Sequence, residues 1–493
     1  MLVKTLDDLL KSKGSTWATR EEFKKALALR KINDDVSAKC KSGDVIACKK
    51  GNDFIFTLPY LFDAESVLVT EYYRLQRKTV VKNMKELIEE AQAHLGIRLH
   101  EQQIAGIEMA LTYNVCVITG GAGTGKTSVL LALMYCIRKL NPNTRFALTA
   151  PTGKASRRMS EATGMDAFTL HKKLGLTQEV SETDYYLSAD VIIADEFSMA
   201  DLLLSAQLFK AVKTGAKLIL VGDPNQLSSV GIGTVLRSMI KTKIVPVTML
   251  TKTFRQNDKS SLFKNISAIK NGGELESGED FKLIEATENP QKLLIDIYNQ
   301  KCSEYGKDNV VILLPYRRCG DTCTEKINRI IQAQVQTLQN DHCKVDDTHY
   351  FFVNDPVIQM ENKEVANGEV GKVICANCDA VTVDFDGTIV EYGRDEILTN
   401  MCLAYAITIH KSQGSEYKCA ITTCLDNEEP MQSKNLLYTA VTRAKKECIL
   451  IAHNKTLKKA LVKEEDASRI SMIEEKFQYT KMCADFKKQA CMR

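Results

Sequence analysis

The chain has 493 residues, of which 44% are hydrophobic and 26% charged, and its formal net charge is +4. This length exceeds one ordinary hydrophobic core, so we expect about two to four globular domains, and the small net charge means that any basic groove for nucleic acid must be local. No apolar run reaches the ~20 residues of a membrane span, no signal-peptide core is present and 16 cysteines are scattered, which favours an intracellular protein with free thiols, in the cytoplasm, the nucleus or a viral factory.

Residues 1–60 are predicted to form a small unit of short helices followed by a hairpin. The helical segments are 6–11, 20–29 and 33–40, and strand-like segments at 43–49 and 53–58 flank the turn Lys50-Gly51-Asn52. This order is typical of a winged-helix unit, and a packing unit without a ligand is the alternative. Residues 61–95 predict a helical connector.

Strand and helix patterns alternate over residues 96–250, which predicts an α/β domain with a parallel, doubly wound sheet. Its strands are expected at 115–119, 145–149, 191–194 and 217–221, with a short hairpin insert near 174–189. A second α/β domain is predicted from residues 251–345 and 397–493. Between these two segments, residues 346–396 are β-rich and contain Asn-Gly and Asp-Gly turn signals, so we expect a small β-barrel insert. The mixed-charge segment after residue 454 predicts a surface helix.

The most specific chemical signal is the segment GGAGTGKT at 120–127, which fits the phosphate-binding pattern G-x-x-x-x-G-K-[ST]. Its glycines allow backbone N–H groups to surround a phosphate. Lys126 can reach the β- and γ-phosphates, and the Thr127 hydroxyl can bind Mg²⁺. A buried strand precedes the loop at 114–119 and an apolar helix follows at 128–140, so the helix N-terminus faces the anion. We therefore predict a nucleoside triphosphate site rather than a chance glycine-rich turn.

Two further strand ends carry polar side chains. Asp195 and Glu196 follow the apolar strand at 191–194, where the first acid can hold Mg²⁺ and the second can orient or deprotonate an attacking water. Gln226 lies in a turn after the strand at 218–221, where a neutral amide can sense the γ-phosphate. Solvated turns are the alternative, but the position of these residues downstream of a phosphate-binding loop favours the functional interpretation.

Arg255 and Arg443 are candidates for stabilising the negative charge that hydrolysis spreads over the γ-phosphoryl oxygens. An arginine is usually solvated or salt-bridged, so the functional interpretation of these two rests on the presence of the other motifs.

Two cysteine pairs could each supply half of a zinc site. Cys319 and Cys323 form one pair, and Cys375 and Cys378 form the other. Their spacing matches no standard zinc finger, so we favour free thiols over a metal.

The chain resembles the superfamily 1 helicases in a series of blocks that occur in the same order. The blocks are GGAGTGKT, TAPTGKAS (149–156), TLHKKLG (169–175), ADEFSM (194–199), VGDPNQL (221–227), TFRQ (253–256), ITIHKSQGSEY (407–417) and LYTAVTRAKK (437–446). Within that superfamily, APTGKAS with a downstream TLHKKLG, and VNDPVIQMENKEVANGEVGKV before ITIHKSQG, resemble the RecD-like branch. The resemblance covers roughly residues 56–452. It implies two RecA-like domains in tandem, ATP and Mg²⁺ as cofactors, and a helicase that moves 5′–3′ on single-stranded DNA.

The resemblance also implies roles for individual positions. Catalytic roles fall to Lys126, Glu196, Gln226, Arg255 and Arg443, and the Mg²⁺ ligands would be Thr127 and Asp195. The nucleotide would be bound by Gln102, Gly121, Gly123, Thr124, Gly125, Lys126, Thr127, Ser128, Gly414 and Glu416. The single strand would lie along Pro151, Thr152, Lys154, His171, His410 and Ser412. Gln102 would read the adenine edge, although the neighbouring Gln103 leaves that assignment open.

The chain departs from the family where relatives carry a strand-separating β-hairpin. The segment available for it is little more than 176–189, with Tyr185 and Tyr186, so translocation is better supported than strand separation. We expect single-stranded DNA and single-strand/duplex junctions as partners, replication or recombination proteins as further candidates, no membrane, and a monomer. An RNA helicase of the same superfamily and a translocase or assembly subunit with weak unwinding are the alternatives.

Overall fold

The structure, a computed structural model, describes residues 1–176, 186–254 and 260–491, with side chains described as far as residue 485. Most of the hairpin insert predicted near 174–189 therefore lies outside the described residues. Among the helices that the structure describes, none is long and apolar enough to cross a membrane.

The first 60 residues form the three predicted helices and the predicted hairpin, with an unpredicted short strand at 18–19, and a winged-helix unit stays the prediction for them. The helices are α1 (Leu2–Lys13), α2 (Arg20–Leu29) and α3 (Val36–Lys41), and the strands are β1 (Ala18–Thr19), β2 (Ile46–Lys50) and β3 (Asp53–Thr57). The antiparallel sheet has the order β1-β3-β2, and Gly51 makes the hairpin turn with a φ of 62°. Helix α2 begins with a capping box between Thr19 and Glu22, each of which accepts from the other's backbone N–H.

This N-terminal unit shares a hydrophobic core with the parallel sheet that follows it. Leu2, Leu6 and Leu10 of α1 are fully buried in one cluster that also contains Val115 of the first parallel sheet. The long helix α4 (Pro59–Leu75) contributes to the same cluster. The unit therefore packs on the sheet rather than standing apart from it.

Strands and helices alternate after the connector, as predicted. The elements are α5 (Met84–Leu95), α6 (Glu101–Thr112), β4 (Val115–Gly120), α7 (Lys126–Leu140), β5 (Phe146–Ala150), α8 (Gly153–Thr163), β6 (Ala167–Thr169), α9 (Leu170–Lys173), β7 (Val191–Ala194), α10 (Leu202–Ala211), β8 (Lys217–Gly222), α11 (Val235–Lys241) and β9 (Val247–Leu250). The strands pair in parallel in the order β6-β5-β7-β8-β4-β9. Because parallel strands end at the same edge, the residues that follow β4, β7 and β8 are brought together.

A second α/β pattern starts after residue 260 and is interrupted by an antiparallel sheet. The elements before the interruption are α12 (Ser261–Asn271), β10 (Phe281–Glu285), α13 (Pro290–Tyr305), β11 (Val310–Leu314) and α14 (Thr324–Val335). The interruption contains β12 (His342–Lys344), β13 (Tyr350–Phe352), β14 (Pro356–Gln359), β15 (Val370–Ala376), β16 (Ala380–Phe385), β17 (Thr388–Gly393), α15 (Ile397–Asn400) and β18 (Met401–Leu403). The pattern resumes with β19 (Ala406–Thr408), β20 (Tyr417–Cys424), α16 (Lys434–Val441), β21 (Ala444–Ala452), α17 (Asn454–Val462) and α18 (Ile473–Cys491).

These segments form a second parallel sheet and an antiparallel insert. The parallel sheet has the order β10-β21-β20-β11-β19, which confirms the prediction of a second α/β pattern. The insert has the order β17-β16-β15-β14-β18, with the pair β12-β13 beside it. Because β14 pairs with β18, the antiparallel sheet extends beyond the predicted end at residue 396. Closure of this sheet into a barrel stays a prediction.

The C-terminal helix α18 packs on the N-terminal half of the chain. Ile473 and Phe477 are fully buried, and the Phe477 ring lies 5.0 Å from the Tyr72 ring of α4, centroid to centroid. The helix lies at the surface, as predicted, with Tyr479 and Met482 exposed, but its buried contact with the first half of the chain was not predicted. Two apolar residues four positions apart form a narrow buried stripe, which the surrounding charges obscure in the sequence.

A buried carboxylate joins the N-terminal unit, α4 and the C-terminal segment. Glu65 of α4 is fully buried, and one of its oxygens accepts from the hydroxyls of Thr16 (2.7 Å) and Ser471 (3.0 Å). Its other oxygen accepts from the Trp17 indole N–H (3.1 Å) and lies 3.4 Å from the Lys476 ammonium. A buried charge is tolerated when it is paired in this way, so these contacts hold the three segments in one arrangement.

We predict that Phe477→Ala lowers the free energy of unfolding of this junction by about 3–5 kcal/mol, because it leaves a cavity in the core. The matched control is Tyr479→Ala on the same helix, where the side chain is 70% exposed and the expected change is within about 0.5 kcal/mol. Urea unfolding followed by the fluorescence of Trp17, the single tryptophan of the chain, reports on this junction. Equal midpoints for the two variants would contradict the docking of α18.

Candidate functional site

The phosphate-binding loop connects β4 to α7, as predicted. Gly123 and Gly125 have φ values of 78° and 77°, a left-handed conformation that favours glycine. The Lys126 ammonium donates to the carbonyl oxygens of Gly120 (2.7 Å) and Gly121 (3.1 Å). The loop therefore curls around its lysine, and the N-terminus of α7 faces the space that it encloses.

The glutamine that supports this loop is Gln103. Its side-chain N–H donates to the Thr124 carbonyl (3.1 Å), and its side-chain oxygen accepts from the His100 N–H (2.9 Å). It is 4% exposed. Gln102, the predicted adenine reader, instead accepts from the Thr251 N–H at 2.8 Å. The structure thus places Gln103, and not Gln102, against the phosphate-binding loop.

The acidic pair lies at the carboxyl end of β7. Asp195 accepts from the Glu196 N–H at 2.8 Å, and its own N–H donates to the Thr149 carbonyl at 2.9 Å. Glu196 has a φ of 48°, which is uncommon for a residue with a side chain and is typical of functional sites. Burial and the adjacent Glu196 carboxylate raise the pKa of Asp195 to about 6. Two crowded carboxylates at one strand end favour a cation between them and a phosphate.

Polar atoms without partners face this space. Within the described residues, the buried atoms Glu196 Oε2 and Gln226 Oε1 have no hydrogen-bond partner. Such atoms are costly unless a ligand or water satisfies them. A nucleotide with its cation and attacking water would supply the missing partners, so the residues present fit that group.

Arg443 reaches the space from the second sheet. It is 3% exposed and lies after α16, where its guanidinium donates to the carbonyls of Thr439 (3.0 Å) and Ser415 (3.1 Å). Burial lowers the pKa of Arg443, while the carboxylates of Glu196 and Glu416 favour its charged form. The other predicted arginine, Arg255, lies outside the described residues.

An arginine that sequence reasoning missed bridges the two sheets. Arg158 of α8 pairs with Glu416 at 2.9 Å and donates to the Gly414 carbonyl at 3.0 Å. No local sequence signal marks Arg158, because its partner Glu416 lies more than 250 residues away in the chain. Phe254 was missed as well; its N–H donates to the Gly123 carbonyl at 2.8 Å.

These groups surround a cavity of about 350 Å³ between the two parallel sheets. The predicted residues that line it are Gly123, Thr124, Gly125, Lys126, Thr127, Asp195, Glu196, Gln226, Gly414, Glu416 and Arg443, together with the unpredicted Arg158 and Phe254. Gln102, Gly121 and Ser128 were also predicted and lie outside this lining in the described part of the chain. The residues that could hold Mg²⁺ here are Thr127, which is exposed to the cavity, and Asp195.

A separate groove of about 980 Å³ runs between α8, the antiparallel insert and the second sheet. Lys154 lines it, with its ammonium 5.7 Å from the centre of the Tyr417 ring. Thr152 caps α8 by accepting from the Ala155 N–H, and Pro151 precedes it. The predicted residues Pro151, Thr152 and Lys154 therefore lie together where β5 ends.

Of the predicted strand contacts, Lys154 alone lines that groove in the described part of the chain, and its neighbours Pro151 and Thr152 do not. In the described part of the chain, its lining does not include His171, which is exposed on α9, or His410 and Ser412. Ser412 is fully buried and its hydroxyl donates to the Ile409 carbonyl at 2.7 Å. Burial lowers the pKa of His410, which favours the neutral ring.

The cysteine pairs are thiols in the structure. Cys319, Cys375 and Cys378 are exposed and Cys323 is buried, and all four are free. Among the described residues, no group of three or more His, Cys, Asp or Glu side chains is arranged to hold a metal ion.

Comparisons with known proteins find families that carry motifs of this type. A family model described as an AAA domain matches residues 98–289, and one described as a UvrD-like helicase C-terminal domain matches residues 403–451. The chain is 32% identical over 359 residues to the ATP-dependent RecD2 DNA helicase of Deinococcus radiodurans, covering 70% of this chain and 48% of that protein. It is 30% identical over 396 residues to the RecBCD enzyme subunit RecD of Mycolicibacterium smegmatis, covering 70% of this chain and 69% of that protein.

The chain thus spans about half the length of the first relative and more than two thirds of the second. Among solved structures, it is similar to Bacteroides Pif1 bound to ssDNA, with 20% identity and a TM-score of 0.46 over 73% of this chain and 94% of that one.

We predict that Gln103→Ala weakens the binding of a fluorescent ATP analogue by about tenfold, because Thr124 and His100 each lose a hydrogen bond that holds the loop. Gln102→Ala is the matched control and should change the affinity by less than about twofold. Fluorescence titration of the two variants measures the difference. A larger loss of affinity for Gln102→Ala would instead support the original prediction that Gln102 contacts the nucleotide.

Proposed function

The chain belongs to the RecD-like branch of the superfamily 1 helicases, and from this premise we propose that it is an ATP-driven DNA helicase that moves 5′–3′ on single-stranded DNA. One observation carries the proposal. The cavity between the two sheets joins the loop and acidic pair of the first sheet to Arg443 and Glu416 of the second. A ligand in that cavity touches both sheets, so its hydrolysis can change how the sheets are positioned relative to each other.

ATP is proposed as the substrate of this cavity. Backbone N–H groups of the loop and the Lys126 ammonium would hold the phosphates. Thr127 and Asp195 would hold Mg²⁺, which supplies positive charge to the phosphate oxygens. The unpaired oxygen of Glu196 supports its role as the base that orients and deprotonates the attacking water, and the unpaired oxygen of Gln226 supports its role beside the γ-phosphate.

Arginines from opposite walls would stabilise the charge that develops on the γ-phosphoryl group. Arg443 enters from the second sheet and Arg158 from the first, where it also contacts Glu416 across the cleft. The Arg443 guanidinium is buried and therefore interacts with such charge more strongly than a solvated one, whereas the side chain of Arg158 is 43% exposed and interacts more weakly. Closure of the cleft around ATP and its opening after hydrolysis would provide the mechanical step. Arg255 is proposed for the same role from its sequence block alone.

The single strand is proposed to lie along the edge where β5 ends and in the groove beside the antiparallel insert. Lys154 supplies charge there and Tyr417 supplies an aromatic face, the combination that binds a phosphate backbone and a base. Strand separation is the less supported part of the proposal, because the segment that would carry a pin falls largely outside the described residues. Single-strand/duplex junctions, and recombination or replication proteins, are the proposed partners of a monomer.

We predict that Glu196→Gln lowers the kcat of single-strand-stimulated ATP hydrolysis by about 10²–10⁴-fold while ATP still binds, because the general base is lost and the phosphate contacts remain. Lys126→Ala should abolish tight ATP binding. A coupled phosphate-release assay measures turnover, and Glu89→Gln on an exposed face of α5 is the charge-matched control. ATP hydrolysis that is unaffected by single-stranded DNA and by these changes would refute the proposal.

Stimulation by DNA and by RNA distinguishes the proposed activity from that of an RNA helicase. At equal concentrations of single-stranded DNA and RNA of the same sequence, we expect the DNA to stimulate ATP hydrolysis more than the RNA does. In strand displacement, we expect a duplex with a 5′ tail to be opened and one with a 3′ tail to persist. Opening of the 3′-tailed duplex alone would show that the polarity is reversed.

A further inference from the structure

One face of α16 is fitted to the turn that follows β8. Asn435, Tyr438 and Thr439 lie at positions i, i+3 and i+4 and so project from the same side of the helix. The Asn435 amide donates to the Asn225 carbonyl at 2.9 Å, and the Thr439 hydroxyl accepts from the Leu227 N–H at 2.9 Å. The turn that carries Gln226 is therefore held at both ends by the second sheet's helix.

The hydroxyl of Tyr438 makes the central contact of this face. It donates to the Asp223 carboxylate at 2.8 Å, and the other oxygen of Asp223 accepts from the backbone and side-chain N–H groups of Asn225, each at 3.0 Å. Asp223 is fully buried and Tyr438 is 2% exposed. Burial and the Asp223 carboxylate raise the pKa of Tyr438 well above its usual value, so the hydroxyl keeps its proton as a donor.

The same hydroxyl also contacts the phosphate-binding loop. A Cβ atom on Gly121 would lie 2.8 Å from the Tyr438 hydroxyl oxygen, closer than real Cβ contacts allow. Position 121 therefore needs a glycine because the Tyr438 hydroxyl leaves no room for a side chain there. Its backbone conformation is not the reason, since Gly121 is not among the glycines with a positive φ. A single oxygen atom of the second sheet's helix touches the loop after β4 and the turn after β8, and Arg443 follows two residues beyond the end of that helix.

We propose that Tyr438 is a positioning residue whose hydroxyl sets the phosphate-binding loop and the Gln226 turn in register with the helix that ends near Arg443. This inference rests on the proposed function. Tyr438 is not among the described residues that line the nucleotide cavity. It therefore acts through the phosphate-binding loop and the Gln226 turn, which it contacts. Loss of its hydroxyl leaves every cavity atom present but releases the alignment of one wall with the other.

The variant Tyr438→Phe removes the hydroxyl and keeps the ring. Tyr392→Phe is the matched control, because Tyr392 is 1% exposed and its hydroxyl donates to a buried side chain, Gln359, at 2.7 Å in the antiparallel insert. Hydrogen–deuterium exchange of the free protein tests the positioning without any need for hydrolysis. We expect faster exchange, by about tenfold, at residues 121–125 and 223–227 in Tyr438→Phe and no change there in the control.

Steady-state kinetics tests the consequence for turnover. We expect the kcat of single-strand-stimulated ATP hydrolysis to fall by about tenfold in Tyr438→Phe, while KM for ATP stays within about twofold. In a double-mutant cycle with Asp223→Ala, the double variant should lose less kcat than the product of the two single losses, since each single change removes the hydrogen bond between Tyr438 and Asp223. A role limited to stability would instead lower the thermal midpoint of both tyrosine variants alike and leave kcat unchanged.

The two arms separate failure of this inference from failure of the proposed function. Unchanged exchange at both segments in Tyr438→Phe overturns the positioning role, whatever the enzyme hydrolyses. Wild-type kcat in Tyr438→Phe also overturns it. Absence of hydrolysis by the wild-type chain refutes the proposed function, and the exchange result still decides whether Tyr438 aligns the two walls.

Discussion

The contact between α16 and the turn after β8 is the constraint on which the nucleotide cavity depends. The first parallel sheet brings the ends of β4, β7 and β8 to one edge, which places the loop, the acidic pair and Gln226 side by side. An edge alone is an open surface. It becomes a cleft with two walls because Tyr438 and Thr439 bind the turn directly and bring Arg443 and Glu416 to the opposite side.

The electrostatics of the cavity follow from this arrangement rather than from the charge of the chain. A formal net charge of +4 over 493 residues gives no field that would concentrate an anion. Lys126, Arg158 and Arg443 line one small volume, where burial strengthens the interaction of Arg443 with any phosphate. The carboxylates of Asp195 and Glu196 lie in the same volume, and burial together with the adjacent Glu196 carboxylate raises the pKa of Asp195. The site thus brings cationic and anionic side chains together in one small volume.

The C-terminal segment gives the two halves of the chain a second connection. Beyond α17 the chain leaves the second sheet, and α18 buries Ile473 and Phe477 against helices of the first half. Along the way Asp466 pairs with Arg237 at 2.7 Å, and Arg469 donates to the Ser229 carbonyl at 3.0 Å. The apolar anchor of α18 is costly to withdraw, so these contacts hold the C-terminal segment on the first half of the chain.

The sequence by itself determined the features that depend on neighbours along the chain. The phosphate-binding loop, the acidic pair and Gln226 each follow a buried strand directly, and the strand–loop pattern is enough to predict their common edge. The winged-helix order of the first 60 residues is equally local, since it depends on short periodic segments and a Gly turn. The identity of the second wall came from ordered sequence blocks that resemble a family, and its packing could not be derived from them.

The tertiary structure alone decided which of several similar side chains lies against the phosphate-binding loop and which pairs across the cleft. Gln102 and Gln103 are adjacent and chemically identical, and only the packing of α6 turns Gln103 toward Thr124. Arg158 gains its meaning from Glu416, which is more than 250 residues away in the sequence. The stripe of Ile473 and Phe477 is too short to stand out among charges, yet α4 supplies a surface that buries it completely. Such pairings form between segments that are distant in the chain, so the local sequence pattern of one segment does not identify its partner.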